Sequence, residues 1–293
     1  MGGMTWAEEG ADWPNREASG FVTAAGLTWH VQRAGSGPRL LLVHGTGAAT
    51  HSWRDLLPLL ARTFSVMAMD LPGHGFSTAL PASRDSLPDM ARALSGLLRH
   101  LQFAPRIVVG HSAGAALLVR QCLDGSISPE RILSLNGAFL PFGGAIFHLL
   151  RPATRLLAES AFTAALLARQ GHEAATVRRL VERTGSRLDQ RGLDLYARLV
   201  RSPAHVSGAL AMMAGWDLRP LLRDLPRLRQ PLSLLIGTDD RTIPPAQAER
   251  VRLLVPDARI LRLHGLGHLA HEERPRQVAN LIHELSRESV AVA

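Results

Sequence analysis

Lysine is absent from this sequence: all 33 basic side chains are arginine, set against 25 acidic ones, and the formal charge is +8. So complete a replacement reads as a compositional bias of the genome, not as the mark of a binding face. Aromatic residues make up only 5% of the chain and do not interleave with the arginines, which argues against a nucleic-acid partner. The charge leaves room for a weak attraction to anionic membrane surfaces or anionic substrates. Cys122 is the single cysteine, so no internal disulfide can form and nothing calls for an oxidising compartment. It is expected to be a buried, inert thiol. The longest apolar run, residues 138–150, is too short to cross a bilayer, and residues 1–20 lack the apolar core of a secretory signal. These absences point to a cytoplasmic protein with no transmembrane segment. Internal repeats and low-complexity segments are also missing.

What remains is an ordinary globular composition, 46% hydrophobic and 20% charged over 293 residues, enough for one large core or a core with an insertion. β-like stretches fall at residues 21–32, 39–43, 65–69, 106–109, 131–135, 231–236 and 259–263. Helical patterns fall between them at 52–62, 87–101, after 112, at 245–254 and at 275–287. Strands alternating with helices imply an α/β class, a doubly wound, mostly parallel sheet whose ligands sit at the carboxyl ends of the strands. Between residues 138 and 225 the alternation stops, and only helical periodicity is found. The expected organisation is a core of residues 1–137 and 226–293, with 138–225 as a helical lid over the site.

The chain's densest chemical signal is Gly110-His111-Ser112-Ala113-Gly114. It follows an apolar strand and opens an apolar helix, the context in which Gly-x-Ser-x-Gly forms a nucleophile elbow. The turn is so tight that only glycine fits on either side of Ser112, and the helix behind it aims free N–H groups at developing negative charge. A serine hydroxyl needs a base, and the base an orienting acid. In this context both follow the serine, acid first, on loops after later strands. The acid loop is Gly237-Thr238-Asp239-Asp240-Arg241; Asp240 is favoured, with Asp239 as the fallback. The base loop is His264-Gly265-Leu266-Gly267-His268-Leu269-Ala270-His271; His268 is favoured over His264 and His271. The oxyanion donors are expected to be the amides of Ala113 and Thr46, with Gly47 as a lesser candidate. His44 and His111 read as buttresses of their loops. A metal site would need a second ligand cluster that the sequence lacks, and no cofactor is called for.

With these three loops in order, the chain resembles the α/β-hydrolase fold family over nearly its whole length. Its nucleophile is serine, where haloalkane dehalogenases and epoxide hydrolases of that family use aspartate. The resemblance therefore implies acyl transfer on a carboxylic ester, with Ser112, Asp240 and His268 as the triad. Further stretches are similar to one subgroup, the magnesium-chelatase accessory hydrolases of bacteriochlorophyll biosynthesis. They include Asp12-Trp13-Pro14-Asn15-Arg16-Glu17, Ser134-Leu135-Asn136-Gly137, Gly208 through Leu218, and Gly265 through Glu273. That likeness implies a role near a tetrapyrrole or its ester and an association with a magnesium-chelatase subunit. Asn136, Met212, Met213 and Trp216 are the expected substrate contacts, the methionines because they adapt to large flat ligands. Two functions are carried forward: a serine hydrolase of a small-molecule ester, and a non-catalytic accessory that binds a tetrapyrrole or a chelatase subunit. Perhydrolysis at the same serine is not separable from the first by sequence. Arg179, Arg183, Arg187 and Arg191 recur every four residues and read as a solvated stripe that Gly185-Ser186 would interrupt.

Overall fold

A computed structural model describes residues 4–81, 84–141, 164–165, 168 and 174–288. Eight strands form one sheet: β1 (Ser19–Ala24), β2 (Leu27–Ala34), β3 (Arg39–Val43), β4 (Ser65–Met69), β5 (Ile107–His111), β6 (Arg131–Leu135), β7 (Leu232–Gly237) and β8 (Arg259–Leu263). Their order is β1-β2-β4-β3-β5-β6-β7-β8. Only β2 runs against its neighbours; from β4 onward every pairing is parallel. The helices named here are α1 (Trp6–Glu9), α2 (Leu56–Leu60), α3 (Leu87–His100), α4 (Ala113–Leu123), α5 (Ala174–Arg183), α6 (Gln190–Arg201), α7 (Pro203–Gly215), α8 (Arg219–Asp224), α9 (Ala246–Leu254), α10 (Ala270–Glu273) and α11 (Pro275–Arg287).

The central strands are continuous apolar runs because both their faces are covered. In β3, Leu41 and Val43 join the core beneath α3 and α4, while Leu40 and Leu42 join the one beneath α2 and α11. β4 divides in the same way, Met67 and Met69 to one side and Val66 and Ala68 to the other. The period of two along each strand thus builds two cores, and the loops at the strands' carboxyl ends are held between them. Helix starts follow local chemistry: Ser86 accepts from the Asp89 amide, and Ser202 caps α7 with Pro203 at its first position.

Two expectations change. Residues 21–32 are not one strand but a hairpin, β1 and β2, turning at Ala25 and Gly26 with φ of 53° and 76°. Both central residues of such a turn need positive φ. Residues 52–62 are a 3₁₀ turn, Thr50–Trp53, followed by the short α2. Pro58 accounts for this, since its missing N–H is tolerated only in a helix's first turn.

Between β6 and β7 the described residues form helices and no strand. Of the expected lid, residues 142–163, 166–167 and 169–173 lie outside the described residues. The arginine stripe is split: α5 ends at Arg183, Gly185 turns at φ 85°, and Arg191 belongs to α6. An N-terminal arm ties this region to the core. Trp13 packs on Phe76, Leu195 and Leu199 and donates to the Thr50 hydroxyl at 3.0 Å. Asp12 makes a two-pronged ion pair with Arg198 of α6 at 2.6 and 2.5 Å.

Candidate active site

Ser112 stands between β5 and α4 with φ 51° and ψ −118°, a backbone strain of about 1–3 kcal/mol for a residue with a side chain. The flanking glycines are required for two different reasons. A Cβ on Gly110 would overlap Ala115 and Gly114, whereas one on Gly114 would overlap the carbonyl oxygens of Val43 and His44 at the end of β3. The elbow is therefore pressed against the neighbouring strand, and Gly45 comes close enough that its Cβ would lie 2.9 Å from that of Ser112.

His268 and Asp240 meet, with Nδ1 of the imidazole donating to Oδ2 at 2.8 Å; both residues are buried. The carboxylate is well held. Its Oδ1 accepts from the amides of Thr242 and Ile243 at 2.7 and 2.9 Å, and Oδ2 also accepts from Asn136 Nδ2 at 2.7 Å. Asp239 is exposed, its carboxylate accepting from the Thr238 hydroxyl, and His264 is exposed as well. The Asp240 amide bonds to Gly237 at 3.3 Å and the His268 amide to Thr184 at 3.3 Å. A Cβ on Gly237 would strike the Leu266–Gly267 backbone, and one on Gly267 the Gly185–Ser186 backbone. Three loops thus meet with no side chain between them.

The loop histidines act as expected. His44 donates from Nδ1 to the Gly45 carbonyl at 2.7 Å and accepts the Leu71 amide on Nε2 at 2.9 Å. His111 donates from Nε2 to the His268 carbonyl at 3.0 Å. Burial pushes the pKa of each below the usual imidazole range. Cys122 is buried in α4 and its thiol is pushed up to about 12.

Ser112 and His268 open onto a cavity of about 610 Å³ whose described walls carry no acidic or basic side chain other than the histidines. Thr46, Gly47 and Ala113 border it. Met212, Met213 and Trp216 line it too; Met212 is fully buried, while Met213 is 63% exposed. Asn136 is the correction. It is not among the cavity walls, being 1% exposed with φ 49°, and its amide is turned to Asp240. Its place just before Gly137 and its tolerance of positive φ are the marks of a turn residue.

A second group of the same residue types lies beside the first and went unread in the sequence. Ser52 donates to Glu272 at 2.7 Å and receives the Nε2–H of His271 at 2.7 Å, and Tyr196 of α6 donates to the same Glu272 oxygen at 2.7 Å. Burial pushes Glu272 up to about 7 against the pull of the two hydroxyls, and His271 down to about 3. Its residues come from three distant parts of the chain, and no local spacing links them. Among the described residues no group of three or more His, Cys, Asp or Glu could hold a metal ion, and no helix is long and apolar enough to cross a membrane.

A strained serine after a parallel strand, a His–Asp pair from two later strands and an eight-stranded sheet define a class, and sequence comparison names it. The profile of the Alpha/beta hydrolase family matches residues 40–281, and the chain belongs to that family. Among its relatives is the magnesium-chelatase 30 kDa subunit of Rhodobacter capsulatus, 38% identical over 89% of this chain and 92% of that one. A pimeloyl-[acyl-carrier protein] methyl ester esterase from Methylococcus capsulatus is 29% identical over 87% of this chain and 96% of its own. In fold, a serine hydrolase of carbazole degradation superposes with a TM-score of 0.74 at 21% identity, covering 92% of this chain and 99% of the other.

Proposed function

We propose that this protein is a serine hydrolase that cleaves a neutral, apolar carboxylic ester through an acyl-enzyme, with the helices between β6 and β7 acting as a lid over the substrate. Ser112 Oγ attacks the acyl carbon and its proton passes to Nε2 of His268. Asp240 holds His268 in the tautomer that leaves Nε2 free and stabilises the imidazolium that forms. The amides of Thr46 and Ala113 hold the oxyanion, each such donor contributing about 3 kcal/mol in related sites. His268 returns the proton to the departing alkoxide. Water then attacks the acyl-enzyme by the same path in reverse, giving the carboxylic acid and free Ser112. The observation that carries this reading is the 2.8 Å His268–Asp240 bond beside a strained Ser112 on one apolar cavity.

The described walls support this substrate class. An uncompensated carboxylate is costly to bury, and the described lining offers it no cation. A fluorophosphonate probe tests the mechanism: wild type should be labelled and Ser112→Ala should not.

The 38% identity to a protein named as a magnesium-chelatase subunit favours a second reading. In it the chain is an accessory that binds a tetrapyrrole or a chelatase subunit, its elbow idle. A folded wild type that takes no label supports that reading. If labelling succeeds, the same likeness makes a tetrapyrrole ester the first substrate to try.

A further inference from the structure

Helix α7 reaches the loop after β3 at two adjacent residues. His205, 3% exposed, donates from Nε2 to the Gly47 carbonyl at 3.2 Å. Its Nδ1 accepts the Gly75 amide at 3.0 Å. A carbonyl only accepts and an amide N–H only donates, so both bonds together require the neutral ring with its proton on Nε2. Burial favours the same form, holding His205 down at about 4. Met212, two turns along the same helix, is fully buried, and its sulfur accepts the Thr46 hydroxyl at 3.3 Å. Midway between them Gly208 lies so close to Gly73 that a Cβ would overlap the Gly73 carbonyl. The helix is thus seated backbone to backbone, with one side-chain contact to the loop on either side of the seat.

We propose that His205 and Met212 are positioning residues for the oxyanion loop: they fix the Thr46–Gly47 backbone, so that its amides stand ready only when α7 is docked. Thr46 is held by its side chain and Gly47 by its carbonyl, so the peptide between them has little freedom to turn. The proposal rests on the hydrolase reading. It adds that the region between β6 and β7 builds part of the catalytic apparatus instead of merely covering the substrate. A displacement of about 1 Å in a positioned group can cost about a hundredfold in rate.

The test uses full-length protein and p-nitrophenyl butyrate. His205→Ala should lower kcat by about 100-fold with KM changed less than twofold, because ground-state binding in the apolar cavity is untouched. His205→Gln, whose amide can both donate to Gly47 and accept from Gly75, should restore at least a tenth of the wild-type kcat. Met212→Leu, which keeps the volume and removes the acceptor, should lower kcat by about threefold to tenfold and carries the test if His205→Ala does not fold. An unchanged kcat in folded variants, a loss confined to KM, or a glutamine no better than alanine would overturn the proposal. A wild type that labels with fluorophosphonate while His205→Ala turns over as fast defeats this inference alone. A wild type that neither labels nor turns over ester defeats the hydrolase reading, and this inference with it.

Discussion

Two clusters built from a serine, a histidine and a carboxylate lie side by side, and they differ in where their protons point. In the first, Nδ1 of His268 is committed to Asp240, and His268 and Ser112 line the same cavity. In the second, His271 spends its Nε2–H on Ser52, whose own proton goes to Glu272. The ring nitrogen that could accept a proton, Nδ1, is buried with no hydrogen-bond partner among the described residues. The carboxylates differ as well. Asp240 has two backbone amides on Oδ1 and the Asn136 side chain with His268 on Oδ2. Glu272 has two hydroxyls on one oxygen and, among the described residues, no hydrogen bond on the other, and burial pushes it up to about 7. In the proposed hydrolase the same residue types serve as the reactive site in one place and as a structural joint in the other. The hydrogen-bond direction and the open wall decide which.

The sharpest break in the comparison is between the two histidines. His268→Ala should cost about 10⁶ in kcat, the scale seen when a triad base is removed, whereas folded His271→Ala should still take the fluorophosphonate label. Equal losses in both would erase the distinction. The carboxylates come next. Asp240→Asn should lower kcat about 10⁴-fold by favouring the wrong tautomer, while Asp239→Asn should stay within about twofold, as expected for an exposed group away from the reacting atoms. The reverse ranking on p-nitrophenyl butyrate would reassign the acid.

A smaller effect separates the clusters by pH. Glu272 has a folded pKa of about 7 against an ordinary value of 4.5, so between those values the native state holds more protons than the unfolded one. Stability is then lost as pH rises through that window, by at most about 3 kcal/mol, and the loss is complete above pH 7. Glu272→Gln removes this slope. The difference in unfolding free energy between wild type and Glu272→Gln, measured in urea at pH 5 and pH 8, should change in that direction, and parallel profiles would refute it. Smallest is Tyr196→Phe, which deletes one hydroxyl from Glu272 and should destabilise by about 1–2 kcal/mol with labelling retained. A stability unchanged from wild type would show that this hydroxyl contributes nothing to the joint.

The sequence was a good guide wherever one strand or one turn carried the signal. The strands β3 to β8 and the Gly-x-Ser-x-Gly turn are local facts, and they lie where expected. The β1–β2 hairpin was hidden because Ala25-Gly26 lacks the asparagine or aspartate that usually announces such a turn. Its spacing and the turn-forming character of Asp239 favour Asp240 in the sequence; the donors that hold it come from Thr242, Ile243 and the distant Asn136. Asn136 itself looks like a substrate contact in the sequence, because nothing near it in the chain reveals Asp240 beneath. The Ser52–Glu272–Tyr196 joint and the reach of His205 to Gly47 are contacts between far-separated segments, which no periodicity encodes.

The N-terminal arm carries a practical consequence. Asp12 and Trp13 grip α6 through Arg198, Leu195 and Leu199, and α6 also supplies the Tyr196 wall of the cavity. Trimming the chain back to the start of the sheet would look harmless on a diagram of strands. It would nevertheless release one wall of the cavity, so a shortened version of this protein should be judged by its fluorophosphonate labelling and ester turnover and not by whether it folds.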